Sequence, residues 1–153
     1  MSTTSVLDLD GQRASASRRI AATPEVIFDL LSDPSKHHLF DGSGTVQEGN
    51  TSQRLELGSK FAMSMKLKLL PYRIGNTVVE FVENELIAWQ HMGKHRWRYE
   101  LEPVDEITTL VTETFDWSTS PLAPALLAVG YPKRNLEAIE QTLERLATVA
   151  SRA

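Results

Sequence analysis

The sequence predicts an α+β domain: a curved antiparallel sheet of about six to seven strands wrapped around a long C-terminal helix, with two short helices after the first strand. Three observations carry this. Period-two alternation of apolar and polar residues recurs between Phe61 and Trp117, broken only by short turns. Two helix starts stand back to back at Thr23-Pro24 and Asp33-Pro34. Helical apolar spacing then runs from Asn135 to Ala150. Consecutive strands joined by tight turns pair antiparallel, and an amphipathic helix must bury its stripe against their apolar face.

Residues 13–20 read as the first strand. Thr23-Pro24-Glu25 then supplies an N-cap, a proline at the first helical position and an acid in the first turn. Val26, Ile27, Leu30 and Leu31 follow at helical spacing, giving a helix over 24–32. Asp33-Pro34 opens a second short helix ending near Phe40, and Asp41-Gly42-Ser43-Gly44 breaks it. Val46 and its neighbours read as another strand. In 61–69, Phe61, Met63, Met65, Leu67 and Leu69 share one face, the mark of a half-buried strand. Residues 72–82 and 85–92 form a hairpin about Glu83-Asn84, with Ile87, Trp89 and His91 on one face. The faces of 72–82 are balanced, and a bulge near Gly75 would reconcile them. Over 95–101, Trp97, Tyr99 and Leu101 point inward while Arg96, Arg98 and Glu100 point out. Over 107–117, Ile107, Val111, Phe115 and Trp117 share the inner face, and Leu110 interrupts the outer one. Leu122 to Val129 is helical in character, and Gly130-Tyr131-Pro132 splits it from the terminal helix. That helix carries Leu136, Ile139, Leu143, Leu146 and Ala150 on one stripe. A sheet this wide exceeds one helix, so a cavity between them is the physical expectation.

Composition narrows the function classes. The 153 residues, 41 % hydrophobic and 24 % charged, suit one globular domain with a substantial core. Residues 1–12 read as a flexible, Ser/Thr-rich tail and 13–150 as the single domain. The absence of cysteine excludes disulfides, thiolate nucleophiles and Cys-based metal centres. A net charge of −4 gives no basic surface for nucleic acid. No segment approaches the roughly 20 apolar residues of a membrane span, and no leader pattern opens the chain, so a cytoplasmic location is expected.

The run from Ile20 to Pro34, Ile-Ala-Ala-Thr-Pro-Glu-Val-Ile-Phe-Asp-Leu-Leu-Ser-Asp-Pro, resembles the opening of the START-like, or Bet v 1-like, polyketide cyclase/dehydrase superfamily. Asp41-Gly42-Ser43-Gly44, Thr112 to Ser118 and the Asn135-Leu136-Glu137 helix opening are similar as well. The resemblance implies a helix-grip fold over roughly residues 13–150. It implies no single function, since the fold hosts lipid carriers, cyclases, hydroxylase domains and chaperone-binding modules. The Rieske-type Cys/His ligands of the hydroxylase branch are absent.

The candidate ligand-binding residues are Phe40, Phe61, Met63, Met65, Trp89, His91, Trp97, Tyr99, Glu113, Phe115 and Tyr131. Methionines beside aromatic walls suit a bulky apolar ligand. Strict alternation carries Glu113 inward with Val111 and Phe115; a buried carboxylate must be paired, protonated or near water. Pairing with Arg96 or Arg98, or escape to solvent at a bulge, is the structural alternative. His91 and Tyr99 are candidates for hydrogen bonding or acid–base chemistry, against the alternative of satisfied core residues. His37-His38 and His91-x3-His95 invite a metal reading, but a closed site needs four ligands and no third type clusters with them. Adjacent histidines on a helix point apart, so these read as surface or turn residues and no cofactor or metal is expected. Neither Gly42-x-Gly44 nor Gly58-Ser59-Lys60 has phosphate-loop spacing, and no nucleophile elbow is present. The expected partner is a small hydrophobic molecule such as a lipid, polyketide or aromatic metabolite, carried or sensed without turnover. A cyclase/dehydrase and a protein-interaction module are the alternatives. The sequence names no protein partner.

Overall fold

The structure, a computed structural model, describes residues 2–48, 50–91 and 93–153. Its elements run β1 (Thr3–Asp8), β2 (Arg13–Ile20), α1 (Pro24–Leu31), a 3₁₀ helix (Pro34–Leu39), β3 (Lys60–Leu67), β4 (Leu70–Val82), β5 (Leu86–Gln90), β6 (Arg96–Asp105), β7 (Thr108–Asp116), α2 (Ala123–Ala128) and α3 (Tyr131–Ala150). The strands form one antiparallel sheet in the spatial order β1-β2-β7-β6-β5-β4-β3. The sheet, the long terminal helix and the short helices after the 13–20 strand are the predicted fold class.

The helix starts follow their caps. The Thr23 side chain accepts from the Val26 amide and Pro24 occupies the first turn of α1. Asp33 accepts from the Ser35 amide at 3.0 Å and opens the 3₁₀ helix. Gly130, at φ +71°, turns the chain between α2 and α3 in a conformation that glycine adopts without a Cβ penalty. Pro132 therefore sits at the start of α3 and does not kink it.

The sequence expectations need several corrections. Residues 3–8 are not free tail: they form β1, pairing Thr3 with Arg18 through Asp8 with Arg13. Five of its six side chains are exposed, so an edge strand of this kind leaves no burial signal in the sequence. Val46 makes only an isolated bridge to Met65. The bulge in β4 falls between Val78 and Glu80, not at Gly75, which pairs in register with Ala62. It switches the inward set from Asn76 and Val78 to Phe81, whose ring meets Phe28 at 5.5 Å. Ile107 lies in the β6–β7 turn and is exposed, while Leu67 and Leu69 leave the buried face at the end of β3. Met92, in the predicted 85–92 strand, lies outside the described residues.

α3 packs chiefly over β2, where Ala14 and Ala16 are buried and small enough for close approach. Ile139, Leu143 and Leu146 of α3 join Ile27, Phe28 and Leu31 of α1 in the fully buried core. The loop after the 3₁₀ helix reaches the same helix: the Gly42 amide donates to Thr142 Oγ1 at 2.8 Å, and an Arg145 Nη donates to the Asp41 carbonyl at 2.7 Å. A Cβ on Gly42 would overlap the Ala138 carbonyl oxygen and lie 2.6 Å from the Thr142 nitrogen. Gly42→Ala should therefore cost about 1–3 kcal/mol through forced backbone displacement. Urea denaturation measures this; a loss below about 0.5 kcal/mol, the size of an ordinary surface change, would mean the loop gives way freely.

Candidate functional site: an internal cavity

Between the sheet and α3 lies a cavity of about 640 Å³. Its wall takes Phe61, Met63 and Met65 from β3, Tyr72, Ile74 and Asn76 from β4, Trp89 from β5, Trp97 and Tyr99 from β6 and Glu113 from β7. The 3₁₀ helix and its loop add His37, Phe40 and Asp41, and α3 adds Tyr131, Asn135, Ile139 and Thr142. Exposed Leu67, Arg134 and Glu137 on the same wall mark an opening between the β3–β4 hairpin and the N-terminal half of α3.

Ten of the eleven sequence candidates lie on this wall. Phe115 does not. It is fully buried behind it, its ring 5.0 Å from Trp97 and 5.7 Å from Tyr131, and supports both. Aromatic rings form a continuous course across the sheet: Phe61 meets Trp89 at 5.7 Å, and Trp89 meets Tyr99 at 5.6 Å.

Glu113 faces inward and is 2 % exposed. It stands directly opposite Tyr99 in the β6–β7 ladder, so both side chains rise from the same face. Neither arginine considered as its partner reaches it. Arg96 and Arg98 lie on the outer face and pair there with Glu80 at 3.5 and 3.2 Å. Burial pushes the Glu113 carboxyl well above the usual carboxylate range, and the Asp41 charge pushes it the same way, while the Tyr99 hydroxyl beside it partly offsets the shift. Burial and the neighbouring Glu113 likewise raise the Tyr99 phenol. Oε1 of Glu113 has no hydrogen-bond partner among the described residues.

Three histidines gather here: His91, a cavity candidate from the sequence, and His37 and His95, which read from the sequence as surface or turn residues and are buried. His37 is 4 % exposed, stacks on Trp89 at 5.1 Å, and bonds the Leu31 carbonyl through Nε2 at 2.7 Å. Since a carbonyl only accepts, Nε2 carries the proton. His91 accepts from the Trp97 indole at Nε2, 3.1 Å away, so its proton is on Nδ1, which is buried without a partner. Burial pushes both rings down to about 4. His95 lies behind, its ring 4.9 Å from His91, and burial lowers it also. All three rings are neutral near pH 7.

Sequence reasoning missed His37, Asn76 and Asn135. A 3₁₀ helix repeats every three residues, so Pro34, His37 and Phe40 fall on one inward face, and that period would have found His37. Asn135 sits on the Ile139–Thr142 side of α3 and was readable from helical spacing. Asn76 depended on the β4 register, which the bulge concealed. Asn76 Oδ1 and Asn135 Nδ2 are both buried and without a partner among the described residues. The wall thus presents an acceptor at Asn76, donors at Asn135 and His91, and the Glu113 carboxyl, set in an aromatic and aliphatic surround.

These protonation states set the pH dependence of stability. Folded Glu113 keeps a proton that the unfolded chain releases above about 4.5. Its contribution is therefore complete below that pH and is lost as pH rises towards the folded-state value. The histidines act oppositely: unfolded imidazole gains a proton below about 6.5 and folded His37 and His91 do not until about 4, so their contribution is lost across that window as pH falls. Urea unfolding from pH 5 to 9 should show Glu113→Gln gaining on the wild type as pH rises. Parallel profiles would mean the acid is ionised in the folded chain.

A family profile described as polyketide cyclase / dehydrase and lipid transport matches residues 11–151. An uncharacterised protein of Mycobacterium tuberculosis, Rv0088, is 40 % identical over 96 % of this chain and 68 % of its own length. Among solved structures, a protein from Arthrobacter aurescens superposes with a TM-score of 0.78 at 15 % identity, covering 98 % of this chain and 92 % of its own. The Aha1 protein of Colwellia psychrerythraea, solved as a dimer, superposes with a TM-score of 0.60 at 17 % identity, covering 91 % of this chain and 96 % of its own. At those identities the two structures show the fold alone. No helix among the described residues is long and apolar enough to cross a membrane. With its profile match spanning nearly the whole chain, the protein belongs to the polyketide cyclase / dehydrase and lipid transport family.

Proposed function

We propose that this protein binds a small hydrophobic molecule in the cavity and carries or senses it. The observation that carries the reading is a 640 Å³ space lined by aromatic and Met side chains that also holds buried polar atoms without partners. That volume is typical of sites for drug-sized ligands. An unpaired buried polar group costs about 1–3 kcal/mol, and a ligand with matching groups removes the cost. Apolar burial against Phe61, Trp89 and Met63 supplies affinity, and Glu113, Tyr99, His91 and the two asparagines set orientation. A neutral ligand with hydroxyl or carbonyl groups, such as a polyketide-like aromatic, fits this wall better than a fatty acid. A buried carboxylate would meet Glu113 and Asp41, with no cation at that depth among the described residues.

The side-by-side placement of Glu113 and Tyr99 favours a second reading, a cyclase or dehydrase. As a neutral acid, Glu113 would hydrogen-bond a ligand carbonyl oxygen and protonate it as the ligand's own enol carbon attacks that carbonyl and breaks its π bond; the enol O–H proton then returns to the Glu113 carboxylate. Incubation with a linear poly-β-ketone, followed by mass spectrometry, separates the two readings. Faster ring closure than buffer, lost in Glu113→Gln with binding retained, establishes turnover.

For the binding reading, titration with a polycyclic polyketide-like phenol should shift the indole resonances of Trp89 and Trp97. Ile74→Trp, which fills part of the cavity from a half-buried position, should weaken binding at least about tenfold, the loss expected when apolar contact area is replaced by overlap, with an unchanged melting temperature. Shifts confined to the outer face would sink the proposal.

A further inference from the structure

The tip of the β3–β4 hairpin breaks the chemistry of tight turns. Leu67 and Leu70 are its last paired residues, leaving Lys68 and Leu69 as the two-residue loop. Lys68 has φ +55°. Turns of this length favour Asn and Gly at such positions, so a Lys-Leu pair there gives up local preference. The side chains it displays are apolar: Leu69 is 88 %, Leu70 70 % and Leu67 57 % exposed. Isolated exposed leucines are ordinary, but three at one apex are not.

The charges around the tip have one sign. Lys66, Lys68 and Arg73 flank the leucines, and residues 57–79 contain no Asp or Glu in a chain of net charge −4. The tip also borders the cavity. Leu67 and Tyr72 line it, as does Tyr131 at the start of α3. Lys133 and Arg134 are exposed in the first turn of α3, and exposed Leu122, Leu127 and Val129 precede it. The acids of the opening lie further along the helix: Glu137 is one turn on, and the Asp41 loop is fastened at Thr142 and Arg145.

From this we infer that the hairpin tip docks the protein on an anionic lipid surface, with the cavity mouth turned towards the lipid. The charge pattern selects this occupant. Leucines at a turn apex form a narrow wedge that enters an acyl layer while the flanking lysines reach phosphate. A stable protein interface needs about 800 Å² from each side, and a two-residue tip does not present it. The docking goes beyond the ligand-binding reading and depends on it only for its purpose.

Sedimentation with vesicles, without added ligand, tests the inference. Wild-type protein should pellet with phosphatidylcholine vesicles containing phosphatidylglycerol, and should not with phosphatidylcholine alone. Binding should fall at about 1 M salt, where charges a few Å apart are screened. Leu69→Asp should lower partitioning at least about tenfold, since it removes apolar insertion and adds repulsion. Lys66→Ala and Lys68→Ala should each lower it about fivefold. All three sites are exposed, and a thermal melt confirms that the variants fold. Absent pelleting, pelleting that Leu69→Asp does not reduce, or a wild-type dimer without vesicles that Leu69→Asp dissociates would each overturn the inference. Ligand titration in vesicle-free buffer should give Leu69→Asp the wild-type affinity, so failure of docking and failure of cavity binding are read separately.

Discussion

One helix set against seven strands is the constraint from which the rest of the molecule follows. Strands about 4.8 Å apart make a sheet roughly 29 Å wide, and a helix with its side chains is about 10–12 Å across. α3 can cover two or three strands. It settles on the β2 side because Ala14 and Ala16 leave room there for Leu143 and Leu146. The main sheet contacts of α3 are with β1, β2 and β7; over β3 to β6, among the described residues, only the short helices reach the inner face, Phe28 against Phe81 and His37 against Trp89. The large residues of those strands, Phe61, Trp89, Trp97 and Tyr99, stand over open space and form the far wall. The remaining side is closed by the 3₁₀ helix and the Asp41-Gly42 loop, which only glycine lets lie directly on α3.

The sequence revealed the parts of this arrangement that rest on local periodicity. Alternation in 95–101 and 107–117 turned Tyr99 and Glu113 each to an inner face, and the ladder made them neighbours. Caps at Thr23 and Asp33 located both short helices. What stayed hidden depended on partners distant in the chain. β1 is an exposed edge, so its residues carry no apolar signature, and it exists because β2 offers an open row of backbone groups. The β4 bulge reverses face within one strand, which blurs a period-two signal into the balance read there. His37 looked like half of an exposed His-His pair. A three-residue repeat, not the α-helical one, turns it inward while His38 stays near the surface.

Charge is sorted across the sheet. The outer face of β4 to β6 carries the Glu80, Arg96, Arg98 and Glu100 network, where solvent screens each pair and its net contribution is small. The inner face opposite carries polar groups that are neutral near pH 7: imidazoles whose protonation burial has pushed well below that pH, carboxamides, a phenol and a raised carboxyl. Among the described residues, the cation on the cavity wall stands at its mouth, Arg134 lying 5.4 Å over the Tyr131 ring. A wall of this kind discriminates by hydrogen-bond geometry and shape, and leaves electrostatic attraction to the rim.

The state of Glu113 ties the two functional readings together. Ionised, it would be a base on an apolar wall, and its charge would repel the electron-rich oxygens of a ketone or phenolate. Protonated, as burial and Asp41 favour, it offers an O–H to the same oxygens, and the neighbouring Tyr99 hydroxyl offers another. A carrier needs that pair to hold a ligand oxygen at a fixed depth. A cyclase needs the same pair to stabilise negative charge developing on that oxygen. The two differ in whether a base stands near the carbon that would lose a proton. Neutral His37 keeps an unprotonated Nδ1, but burial pushes the ring down to about 4, which makes it a weak base, and the ring is stacked flat on Trp89 with Nε2–H held by the Leu31 carbonyl. His91 offers only its Nδ1–H, since Trp97 occupies the other nitrogen. With both imidazoles committed as donors or packed as walls, the cavity is equipped to bind and polarise oxygen, and less equipped to remove a proton from carbon. That asymmetry places the carrier reading ahead of the enzyme.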